Sequence, residues 1–88
     1  MSAMMIENRI KNAFSCTDDD RAGIFLIIML QLEFILAGFR QNKGKKENRD
    51  ALRYLGLSAS DFQQTDATVG SLLLQSRFGP DVREWLEE

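Results

Sequence analysis

The sequence predicts an all-α protein, with about five helices packed around one long, nearly all-round apolar helix from Asp18 to Arg40, in a dimeric helical bundle. Three observations carry that prediction. The run Ala22 to Phe39 (AGIFLIIMLQLEFILAGF) holds only two clearly polar residues, Gln31 and Glu33, and exceeds the span of a buried strand. The segments on either side repeat apolar residues at helical spacing, separated by turn and cap signals. No stretch alternates convincingly between apolar and polar residues as a half-buried strand does.

Met4 to Phe14 reads as a short amphipathic helix. Ile6, Ile10, Ala13 and Phe14 recur at helical spacing, and Glu7, Asn8, Arg9, Lys11 and Asn12 form the wet side. The alternative for Met1 to Met5 is a tail. Ser15 and Cys16 then lead through a tight turn into Thr17, the expected cap of the central helix, with Asp20 three residues on. Asp18, Asp19 and Asp20 are expected in its first turn, where carboxylates meet the positive end of the helix dipole, and Arg40 and Lys43 lie at the opposite end.

Gln31 and Glu33 stand roughly 200° apart around the axis, so they define no single solvent stripe. A helix apolar on both sides is the centre of a core, a self-association surface or a membrane span. Its length is near the lower limit for a span, and the charges at its two ends fit a positive-inside pattern. Against a span, Glu33 inside the segment costs roughly 2.5–3.5 kcal/mol at a bilayer centre. The core and dimer reading therefore takes precedence, with Ile24, Phe25, Ile28, Leu32, Glu33, Ile35, Leu36 and Phe39 as its residues.

Gln41 to Lys46 has no apolar residue and is read as a loop. Glu47 to Leu55 resumes a helix with Ala51, Leu52, Tyr54 and Leu55 inward, stopped by Gly56 and Leu57 in a Schellman arrangement. Ser58 with Asp61 caps one short turn anchored by Phe62. Asp66 is expected to cap a helix from Ala67 to Arg77, with Val69, Leu72, Leu73 and Ser76 on its apolar face. Phe78-Gly79-Pro80 ends it, and Pro80 to Glu88 makes a last helix with a frayed end, since Glu87 and Glu88 oppose its dipole.

The 88 residues are expected to form a single helical domain, 1–88. A chain this short buries only about 60–65% of its unfolded surface, so covering an all-round apolar helix unaided is difficult; a homodimer solves the problem. The apolar fraction of 44% beside 27% charged residues is that of a globular chain. A net charge of −2 exerts no global pull on nucleic acid or anionic lipid. One cysteine, Cys16, fits a reducing compartment, and no secretory pattern opens the sequence, so the expected location is the cytoplasm.

Six of the eleven cationic residues, Arg40, Lys43, Lys45, Lys46, Arg49 and Arg53, fall in one stretch that suits phosphate or an acidic partner. Their bland reading is a solvated loop and helix face, and no aromatic residue interleaves to stack bases. Glu47 to Thr65 has the outline of a helix-turn-helix, with Gln63 and Gln64 as base readers, but Leu52 is bulky where the helices should cross. The consecutive aspartates are explained by capping, not by a metal. With no histidine, the usual triads and dyads are unavailable. Cys16 reads as a small buried hydrophobe. Glu33 is the carboxylate expected to be desolvated, or else paired with Arg40 or with a basic residue of a second subunit. Val82, Trp85 and Leu86 form either a docking element for a partner groove or, preferably, the closure of the core.

No cofactor or metal is implied and no enzyme is expected. The sequence reads as a small interaction or regulatory protein (an adaptor, inhibitor or modulator) that binds an unidentified protein partner as a homodimer. The alternative is a nucleic-acid-binding regulator using the Arg40–Arg53 patch, and the third reading is a single-span membrane protein.

Overall fold

A computed structural model describes residues 2–41 and 48–88, which form six helices: α1 (Ala3–Thr17), α2 (Asp20–Arg40), α3 (Asn48–Leu55), α4 (Ala59–Gln63), α5 (Val69–Gln75) and α6 (Gly79–Leu86). No strand occurs among the described residues. At 1.5 Å per residue α2 is about 31 Å long, most of the 37 Å long axis of the molecule. α1, α4 and α5 lie against it, and α5 also touches α1 and α6.

The turn between the first two helices differs from the expectation. Ser2 caps α1 by accepting the Met5 amide at 3.3 Å, so residues from Ala3 are helical, not a tail. α1 then continues past Phe14 through Thr17, whose hydroxyl donates to the Ala13 carbonyl at 2.6 Å and is thereby spent within α1. Asp18 makes the turn with φ 56°, a left-handed conformation that Asp tolerates better than most residues. Asp19, not Thr17, caps α2, and only Asp20 lies within its first turn. The three aspartates therefore have three separate duties.

The stop after α3 forms as expected. Gly56 has φ 71°, its amide donates to Arg53, and the Leu57 amide donates to Leu52 at 3.0 Å, with Leu52 and Leu57 both buried. Asp61 accepts the Ser58 amide at 2.8 Å, as its position predicts. α5, in contrast, is shorter than Ala67 to Arg77 and is capped by Thr68 instead of Asp66. Thr68 Oγ1 accepts the Ser71 amide at 3.2 Å, and Ser71 Oγ accepts that of Thr68 at 3.1 Å. The reciprocal pair satisfies the amides of both Thr68 and Ser71. Gly70 marks a close approach: a Cβ there would stand 2.5 Å from the Ala3 carbonyl oxygen, so only glycine lets α5 seat against the start of α1.

The core joins Ile6 and Ile10 of α1 to Phe25, Ile28, Met29, Leu32, Ile35 and Leu36 of α2. Leu72 and Leu73 of α5 and Val82 and Trp85 of α6 complete it, with Leu52, Leu55, Leu57 and Phe62 from the middle of the chain. Leu32 is fully enclosed. Replacing it with alanine removes buried methyl groups and leaves a cavity, so Leu32→Ala should cost about 2–5 kcal/mol in urea unfolding followed by circular dichroism. For a domain of this size, each kcal/mol lowers the melting temperature by about 4–8 °C.

Candidate interaction surface

The buried residues of α2 occupy one side, and the opposite side is also apolar. At 100° per residue, Ile24, Ile27, Leu30 and Phe34 lie within an arc of about 120° facing away from the core. They are 54%, 60%, 57% and 76% exposed, and Tyr54 on neighbouring α3 is 57% exposed. Among polar residues, Gln31 shares this arc, while Glu33 lies about 60° beyond it. The sequence placed Ile24 and Glu33 among the core and dimer residues; in the single chain both are exposed and neither joins the core. Glu33 instead lines a mixed-charge cleft with Glu7, Lys11 and Arg40.

Two hollows border the outward face. One, of about 450 Å³, lies between α2 and α3, among Ile27, Leu30, Phe34, Ala51 and Tyr54. The other, of about 290 Å³, lies between the start of α2 and α6, floored by Ile24, Phe25 and Phe78 with Arg21, Asp81 and Glu84 at its mouth. The backbone between them is held by the Arg77 amide, which donates to Leu55 at 2.8 Å. The Arg77 guanidinium stands 5.3 Å from the Tyr54 ring centre and 5.5 Å from that of Phe78. The two rings are 5.9 Å apart. Tyr54 was expected inward; it lies on the rim of this face instead, because Leu52 and Leu55 take the buried side of α3.

A polar knot fixes the N-terminal end of the same face. Asp19 Oδ1 accepts the Arg21 amide at 2.9 Å, and its Oδ2 accepts the Trp85 indole N–H at 2.9 Å. The Arg21 guanidinium donates to both carboxylate oxygens of Glu88, one at 2.7 Å. Phe25 meets Trp85 edge-on, 5.7 Å between centres. The chain end is thus bound to α2 rather than left to fray. Val82 and Trp85 are buried and Leu86 is half-buried, so they close the core and are not free for docking.

The remaining candidate residues separate. Phe25, Ile28, Leu32, Ile35 and Leu36 are buried, and half-buried Phe39 stacks on Phe62 at 5.3 Å. Arg40, Arg49 and Arg53 are exposed, with Arg40 donating to the Ala67 carbonyl at 3.1 Å. Lys43, Lys45 and Lys46 of the basic stretch lie outside the described residues. α4, the second helix of the helix-turn-helix outline, is five residues long, under two turns. Cys16 is exposed, not a buried hydrophobe. α2 has the length and mean hydropathy (2.2) of a membrane span, but 39% of that window is buried within the fold.

These features define a small helical protein whose longest helix is apolar both inside and out. No known protein family, curated protein or solved structure matches the chain.

The polar knot makes a pH prediction. The Trp85 hydrogen bond is the largest effect lowering the Asp19 pKa, and the Arg21 guanidinium lowers that of Glu88. Folding therefore depresses both values, and the folded state binds fewer protons. The resulting stability is complete above the ordinary carboxylate range, about pH 4, and is lost as pH falls through the lower folded values. Urea unfolding followed by Trp85 fluorescence should show wild type ahead of Asp19→Asn/Glu88→Gln at neutral pH, with the gap closing in acid. A gap independent of pH would uncouple these carboxylates from folding.

Proposed function

We propose that this chain is a small non-enzymatic interaction protein, an adaptor, inhibitor or modulator, that acts by binding another macromolecule and is assembled as a homodimer across the outward face of α2. The observation that carries the reading is that face. Five side chains of roughly 200 Å² each, exposed as given above, leave about 600 Å² of apolar-rich surface per chain. That is the upper end for the largest patch on a monomeric protein of ordinary kind. Doubled, it is about 1,200 Å², where stable protein–protein interfaces begin.

A protein fits this face better than lipid does. Interfacial membrane helices surround their apolar stripe with Lys and Arg, whereas Asp20, Asp81 and Glu84 lie beside the start of this one. Spanning a bilayer with α2 would also strip its buried side of the core, which is a large part of what holds an 88-residue domain together. The side-chain inventory favours binding over catalysis: there is no histidine, and the lone cysteine is exposed at the end of α1.

Light scattering behind a sizing column, in detergent-free buffer, tests the reading. Wild type should run at about 20 kDa, twice the 10.0 kDa of one chain. Leu30→Glu, which places a charge on the exposed side of α2, should give a monomer of unchanged helical content. A wild-type monomer at the highest soluble concentration would overturn the homodimer. Partition into membranes would favour the single span instead, and salt-sensitive retardation of a duplex probe would favour the nucleic-acid reading.

A further inference from the structure

We infer that the second copy packs with its α2 antiparallel, each Phe34 entering the hollow formed by Ile24, Phe25 and Phe78 of the other copy; the inference rests on the homodimer proposed above. Three observations lead to it. Phe34 is the most exposed large hydrophobic side chain among the described residues, a knob that no described residue covers. The hollow of about 290 Å³ has an apolar floor and lies beside Ile24, ten residues from Phe34 and therefore about 15 Å along the same helix. A two-fold axis across α2 midway between them brings Phe34 of each chain to the level of Ile24 of the other along the helix. Knob and hollow are then used twice in one self-complementary contact.

Charge selects the same direction. The end of the face near Ile24 is acidic, with Asp20, Asp81 and Glu84 against Arg21, whose guanidinium is already held by Glu88. Antiparallel packing sets the acidic ends of the two chains at opposite ends of the contact. Parallel packing would instead set like against like, an arrangement that interfaces avoid, and would meet Phe34 with Phe34 while leaving both hollows empty.

The chain's single cysteine reports the direction without disturbing the face. Cys16 is exposed at the end of α1, close to the start of α2. Nitroxide labels on the two Cys16 side chains should be separated by on the order of 25–40 Å if the helices are antiparallel. A separation under about 20 Å would mean parallel packing and would overturn the inference. A sizing-column dimer with that short separation leaves the homodimer standing, whereas a monomer with no coupling between labels removes both. The anchor has its own test by sedimentation equilibrium. Phe34→Ala should raise the dimer dissociation constant at least tenfold, about 1.4 kcal/mol, and Phe34→Met should recover part of the loss. An unchanged constant for Phe34→Ala would overturn the anchoring role.

Discussion

The rest of the structure depends on one shortage: α2 is apolar around nearly its whole circumference, and the described residues cover only one side. α1 runs for 15 residues, while α4 and α5 supply five and seven. With α6 they bury Phe25, Ile28, Met29, Leu32, Ile35 and Leu36, but among the described residues nothing crosses to the side of Ile27 and Phe34. Helix formation does not require apolar residues there, since Lys, Glu or Gln would sustain an exposed helical position as well as Leu and better than Ile or Phe. The apolar choice at four positions of one face is therefore set neither by helix formation nor by burial within the described fold.

The helical fold was legible because its signals are local. Gly56 and Leu57 stop α3 wherever the rest of the chain lies, and Ser58 with Asp61 starts α4 in the same way. Periodicity could not assign the two sides of α2, because a helix apolar all round carries no preferred face. Ile24 was thus grouped with Phe25 and Ile28, although the fold turns it outward. Cap choice failed for a related reason. Thr17, Asp18 and Asp19 are all competent near a helix start, and the decision lay in the length of α1, which consumes Thr17. At α5 the reciprocal pair of Thr68 and Ser71 displaced Asp66 by two residues.

The contacts at the end of the chain were beyond any local signal. Trp85 reaches Asp19 across 66 positions and Glu88 reaches Arg21 across 67, so helix-dipole reasoning alone left Glu88 frayed. The Arg21–Glu88 pair is half-exposed and adds little stability by itself. The indole N–H differs, since Trp85 is buried and its polar atom needs a partner. Asp19 meets that need while also capping α2, so one carboxylate serves both the start of a helix and the satisfaction of the core.

That double duty links the fold to the surface. Holding Trp85 at the start of α2 fixes α6, and α6 contributes Asp81 and Glu84 to the mouth of the hollow beside Ile24, while Phe25, packed edge-on to Trp85, forms part of its floor. At its other side, the backbone bond from Arg77 to Leu55 sets the spacing between Phe78, which closes the hollow, and Tyr54. A hollow walled by elements tied at both ends is pre-shaped, and a pre-shaped hollow loses less entropy when an aromatic side chain enters than one that must form on contact. In the proposed dimer the knot at the chain end bears on association as well as folding: what closes the core on one side of α2 also walls the hollow on the other.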